Sequence, residues 1–86
     1  TQKPTAESLF QQALELHQAG DIIGAIATYQ ASLNLDPDNP GAHSNMGAAY
    51  VKLGRYEDAI TAYRTAVEGD PQNATFRFNL GLAYYK

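Results

Sequence analysis

The chain has 86 residues, 44% of them hydrophobic and 17% charged, with a net charge of −3 and no cysteine. That apolar content excludes a disordered chain and suits one small domain. The missing cysteine excludes disulfide scaffolds and thiolate metal sites, and the six basic residues are scattered rather than clustered, which argues against nucleic acid as a partner.

Helix signals follow one another along the chain. Thr5 reads as the N-cap of a first helix from Ala6 to about Ala19, with Leu9, Ala13 and Leu16 as its apolar stripe. Gly20 ends it, and Asp21 caps a second helix over about Ile22 to Leu35. Asp36-Pro37 stops that helix, because proline lacks the N–H donor and disfavours a helical residue before it. Asn39 caps a third, with Pro40 in a first turn where a missing N–H costs nothing. It runs to about Leu53 and breaks at Gly54. A fourth runs from about Tyr56 to Glu68 and ends at Gly69-Asp70-Pro71, with Gly69 expected to shorten it. Asn73 caps a fifth, from Ala74 onward. Nothing reads as a strand, and the short loops make neighbouring helices antiparallel. No apolar run approaches the roughly 20 residues needed to span a membrane, and no signal peptide is visible. The chain opens at Thr1 without Met and stops on a helical pattern at Lys86, which reads as a piece excised from a longer protein.

The chain repeats itself with a period of 34. Asp36-Pro37 recurs as Asp70-Pro71, Gly20 as Gly54, Ala25 as Ala59, Tyr29 as Tyr63, Asn45 as Asn79, Gly47 as Gly81 and Tyr50 as Tyr84. A period of this length marks stacked copies of one helix pair. Met46-Gly47, Tyr50, Gly54, Tyr56, Ala59, Tyr63, Ala66 and Pro71 carry a resemblance to the tetratricopeptide repeat family. Leu9, Ala13, Leu16, Gly20, Ala25, Tyr29, Ser32 and Pro37 carry a looser one. The resemblance implies an all-α antiparallel helix-turn-helix solenoid with a right-handed superhelical stack of five helices. It implies one repeat domain over 1–86, with a first unit at 6–39, a second at 40–73 and the first helix of a third, or a capping helix, at 74–86. The chain departs from the family pattern at three places: His43 stands for a frequent Trp, Gln12 for a preferred Leu and Gly69 for an apolar residue.

Few residues suggest chemistry. His17 and His43 are the only histidines, and neither has a second His at helical spacing. His17 is expected on the concave face and His43 between adjacent helices, both in structural roles. Glu57 and Asp58 suit the positive end of a helix dipole, and nothing sets their pKa values apart for acid–base work. The expectation is therefore no enzyme and no cofactor.

In arrays of this family the first helix of each unit lines a groove. Spacings of three and four then place Phe10, Gln11, Leu14 and His17 there from the first unit, Asn45, Val51 and Lys52 from the second, and Phe78, Asn79, Leu82 and Tyr85 from the third. Gln11, Asn45 and Asn79 form a row of amides, each offering an acceptor and two donors to a peptide backbone. The row resembles the asparagine ladder in the repeat region of a family member. Chaperone-binding members instead hold a C-terminal carboxylate with a clamp of Lys, Asn and Arg. Here only Asn45 matches that clamp, with Phe10, Leu14, Thr75 and Asn79 at its other places. The reading is a protein-interaction module that takes a partner segment in its groove. The alternatives are a structural spacer or oligomerisation segment, and a non-catalytic repeat region of a larger enzyme. Partner identity and localisation are not legible. A second surface is expected at the last helix, where Phe76, Leu80, Ala83 and Tyr84 form a face left partly uncovered and open to self-association.

Overall fold

A computed structural model describes residues 3–86, so Thr1 and Gln2 lie outside the described residues. It contains five helices: α1 (Ala6–Gln18), α2 (Ile22–Leu35), α3 (Pro40–Lys52), α4 (Tyr56–Gly69) and α5 (Ala74–Tyr85). There is no strand among the described residues.

Four of the helix starts follow from local side-chain chemistry. The Thr5 hydroxyl accepts the Ser8 N–H at 3.0 Å while the Ser8 hydroxyl accepts the Thr5 N–H at 2.9 Å, a reciprocal capping box. Asp21, Asn39 and Asn73 accept the N–H groups of Gly24, Ala42 and Phe76. Each satisfies a donor that the helix itself leaves unpaired. The start of α4 differs. Arg55 offers no capping bond, and its guanidinium instead pairs with Asp58 at 2.7 Å and lies 5.0 Å from the ring centre of Tyr50. Gly20 and Gly54 end α1 and α3 with φ of 92° and 74°, a left-handed conformation that costs other residues a clash with Cβ.

Each helix packs on the next, with α1 against α2 and α3 against α4 most extensively, and α3 also touches α5. The result is an elongated slab of 45 × 26 × 16 Å. Its core alternates alanine with tyrosine. Ala13, Ala25, Ala42, Ala49, Ala59 and Ala66 are wholly buried, and Tyr29, Tyr50 and Tyr63 fill the space their small side chains leave. The closest approach is at Gly47, where a Cβ would sit 2.7 Å from the Tyr63 ring. Ser32 adds a polar tie, its hydroxyl donating to the Ala6 carbonyl at 2.7 Å.

The expected shortening of α4 by Gly69 does not occur. Helix α4 includes Gly69 and has 14 residues, as α2 does. A side chain at 69 would meet the Pro40 ring at 2.8 Å, so the glycine serves a contact between the end of α4 and the start of α3. His43 is half-buried, and its Nε2 lies 3.1 Å from the Pro37 carbonyl oxygen. It therefore fastens α3 to the turn before it.

Candidate functional site

The amides of the expected row occupy one register. Gln11, Asn45 and Asn79 are each the sixth residue of α1, α3 and α5. Gln11 is exposed, and Asn45 and Asn79 are half-buried. None of the three takes part in the side-chain hydrogen bonds formed among the described residues. An amide so placed keeps its acceptor and both donors for water or for a ligand.

The apolar residues of this face divide into two groups. Phe10, Leu14 and Val51 are half-buried and pack on the core, Phe10 with its ring centre 6.1 Å from that of Tyr29. Phe78, Leu82 and Tyr85 are exposed, Tyr85 at 92%. Large apolar side chains left in water in this way mark a contact surface more often than isolated ones do. Lys52 is exposed at the end of α3. Ser44, which the same spacing also places on this face, is buried.

His17 links the face to the helix behind it. It is half-buried, with Nδ1 3.2 Å from the Tyr29 hydroxyl and its ring edge-on to that tyrosine. Burial, and then the Lys52 ammonium, hold its pKa below the ordinary histidine value. Burial also raises the Tyr29 pKa, so that hydroxyl keeps its proton and can donate to the neutral imidazole. Tyr29 is wholly buried, and nothing in its helical pattern signals that its hydroxyl meets His17.

The four residues expected to form a partly uncovered face on α5 differ in exposure. Ala83 is buried at 3% exposure, Phe76 and Leu80 are half-buried, and only Tyr84 is open. The reason is registry. Phe76, Leu80 and Ala83 stand 34 residues after Ala42, Met46 and Ala49, all of them buried, and that side of each helix turns inward. The open side of α5 carries Phe78, Gly81 and Tyr84 instead.

A hollow of about 430 Å³ lies away from this face, lined by Pro37, Asp38, Pro40, His43, Thr65, Glu68 and Gly69. Among the described residues no cluster of three His, Asp or Glu could hold a metal ion, and no helix is long and apolar enough to cross a membrane.

The TPR repeat family profile matches residues 13–54 and 47–86. The fold superposes on the Sgt2 TPR domain from Aspergillus fumigatus with a TM-score of 0.90 at 29% identity, covering 96% of this chain and 55% of that one. It superposes on the first TPR of Spaghetti (RPAP3), solved bound to the HSP90 peptide SRMEEVD, with a TM-score of 0.91 at 23% identity, covering 94% of this chain and 64% of that one. MamA gives 0.92 at 23% identity over 94% of this chain and 47% of its own. The chain thus spans less than two thirds of each of these relatives. No curated protein matches it. With profile matches that together run from residue 13 to residue 86 and a helical-pair architecture throughout, the chain belongs to the TPR repeat family, whose fold is a protein-interaction module.

Proposed function

We propose that the chain binds an extended segment of a partner protein across the face formed by α1, α3 and α5. The observation that carries this reading is the row of Gln11, Asn45 and Asn79, at one register on three helices and without partners among the described side chains. Each amide can pair with a peptide N–H and C=O, so the row grips a backbone with little regard to its sequence. Phe10, Leu14, Val51, Phe78, Leu82 and Tyr85 supply apolar contact beside it, and His17 and Lys52 flank its far end. In this reading the repeat units 6–39 and 40–73 and the helix at 74–86 contribute one amide each.

The HSP90 peptide held by the Spaghetti domain shows that a fold of this shape can take an acidic peptide. The present chain has Phe10, Leu14 and Thr75 where clamp-bearing relatives hold a carboxylate, so its partner is gripped by backbone and apolar contacts. A peptide-array screen followed by chemical-shift mapping tests the proposal. Asn45→Ala and Asn79→Ala should each weaken the selected peptide by about 1 kcal/mol, close to fivefold, with the helix content unchanged. A footprint confined to the second helices, around Ile23 or Arg64, would refute it.

A further inference from the structure

The hollow of about 430 Å³ between the start of α3 and the end of α4 has a chemistry of its own. The side chains that line it offer acceptors and no free donor. Asp38 and Glu68 are exposed carboxylates, and neither takes part in an ion pair or a side-chain hydrogen bond among the described residues. His43 spends its Nε2 proton on the Pro37 carbonyl, which can only accept, so the neutral ring leaves Nδ1 as a bare acceptor. The Thr65 hydroxyl donates to the Thr61 carbonyl at 3.0 Å and keeps only its oxygen lone pairs. Helix α4 ends here as well. The Asp70 N–H returns to Ala66, residue 71 is a proline, and the carbonyls of Val67, Glu68 and Gly69 accept no backbone N–H among the described residues. At the start of α3 the donors are already taken: Asn39 accepts the N–H groups of Ala42 and His43, and Pro40 has none. The first unit carries Leu9, Ala31, Asn34 and Leu35 where the second has His43, Thr65, Glu68 and Gly69. The core residues Ala25 and Tyr29 recur unchanged as Ala59 and Tyr63, so this exchange alters the hollow and leaves the packing alone.

We propose that this hollow receives an arginine side chain of a partner protein. The sign of the field selects a cation, because two carboxylates and the negative end of the α4 dipole meet there without a basic residue in the lining. Arg64, one turn before Glu68, lies outside the lining and makes no ion pair with it. A point-like ion does not fit, since Asp38, His43 and Glu68 do not converge closely enough to hold a metal. Acceptors spread over several walls call for a cation whose donors are also spread, and the planar guanidinium carries five of them in a fixed fork. The rings of Pro37 and Pro40 supply apolar surface for the methylene stem. Gly69 keeps the floor open, because a side chain there would run into the Pro40 ring at 2.8 Å. This contact uses neither the amide row nor the apolar residues of the α1, α3 and α5 face, and it stands whether or not that face binds a peptide.

The test is an amide-shift titration of the 86-residue chain with the blocked peptide acetyl-Ala-Arg-Ala-amide, beside its lysine and citrulline counterparts. The expected result is saturable shifts at His43, Thr65 and Gly69, with a dissociation constant in the millimolar range proper to one small side chain. The signals of Asn45 and Asn79 should stay in place. Citrulline keeps the shape of arginine and loses the charge, and should bind about tenfold more weakly or worse; lysine keeps the charge and loses the fork, and should bind about threefold more weakly. Glu68→Gln and Asp38→Asn should each weaken the arginine peptide about fivefold, as loss of a partly exposed ion pair does, with the helical circular dichroism unchanged. His43→Leu, which restores the residue of the first unit, should weaken it as well. No shift at about 20 mM peptide overturns the proposal. So does a citrulline peptide that binds equally well, or binding indifferent to both carboxylate variants. A lysine peptide equal to the arginine one would mean that the hollow reads charge alone, and the arginine assignment would be wrong. Shifts scattered over all exposed carboxylates would mean non-specific attraction to an acidic chain, and would overturn it too.

Discussion

Gly47 and Gly81 stand at the same register of equivalent helices, yet the same substitution should move stability in opposite directions at the two sites. At Gly47 a new methyl would lie 2.7 and 2.8 Å from two carbons of the Tyr63 ring. These belong to the body of a side chain that is itself buried, so α3 and α4 must move apart or the ring must leave its rotamer. Overpacking of this kind costs about 1–3 kcal/mol. Replacing a mid-helix glycine by alanine returns about 1 kcal/mol of backbone entropy. Gly47→Ala should therefore lose up to about 2 kcal/mol net, whereas Gly81→Ala, with nothing within 4 Å, should keep the whole helix gain of about 0.5–1 kcal/mol. For a chain of this size, at about 4–8 °C per kcal/mol, the Gly81→Ala variant should melt several degrees above the Gly47→Ala variant. Thermal and urea melts followed by helical circular dichroism decide the matter. Equal shifts, or a Gly47→Ala variant more stable than the parent, would show that the α3–α4 contact does not require a bare Cα.

Two further outcomes follow from side chains that tie one helix to another. Ser32→Ala removes the hydroxyl bound to the Ala6 carbonyl and should cost about 1 kcal/mol in urea melts, since that carbonyl still has the N–H of the next helical turn; a stabilised variant would mean the bond contributes nothing. His17 gives a pH signature: because its folded pKa lies below the unfolded value, the unfolded chain binds the proton more readily, and stability present above the ordinary histidine range is lost as pH falls through it. The difference in stability between the parent and His17→Gln should thus shrink or reverse on acidification, and a difference that is flat from pH 8 to pH 5 would contradict the placement of His17 (about 6.5 being its unperturbed value).

Local chemistry was the most legible part of this chain. Thr5, Asp21, Asn39 and Asn73 announce helix starts because a short acceptor side chain bonds a backbone N–H only three residues away. The start of α4 has no such residue, and the break at Gly54 before it marks the place. Contacts between distant segments were not legible. Gly69 reads from sequence as a helix breaker, and only the Pro40 ring lying against it explains why the helix runs on. The uneven burial along α5 has a different cause. Helical spacing says which residues share a side, but not which neighbour that side meets. Comparing Phe76, Leu80 and Ala83 with Ala42, Met46 and Ala49 would have shown that this row turns inward. The amides of the candidate site were legible as a row, whereas the Tyr29 hydroxyl behind His17 was not, because it arrives from a helix whose own pattern is that of a core.

The contact between Gly69 and Pro40 has a consequence for how such a chain can change length. The segment from Pro40 to Gly69 begins and ends at one place, with its last residue resting against its first. Such a segment is closed on itself, much as a link is in a chain of links. Its removal or duplication at that seam would carry the flanking pieces along by one fixed step and would break no bond inside any other segment. On the proposed reading, a face assembled from such segments grows or shrinks in whole increments, each bringing its own amide. If the proposed face binds a partner, its reach can change by whole units without any residue of the existing surface having to change.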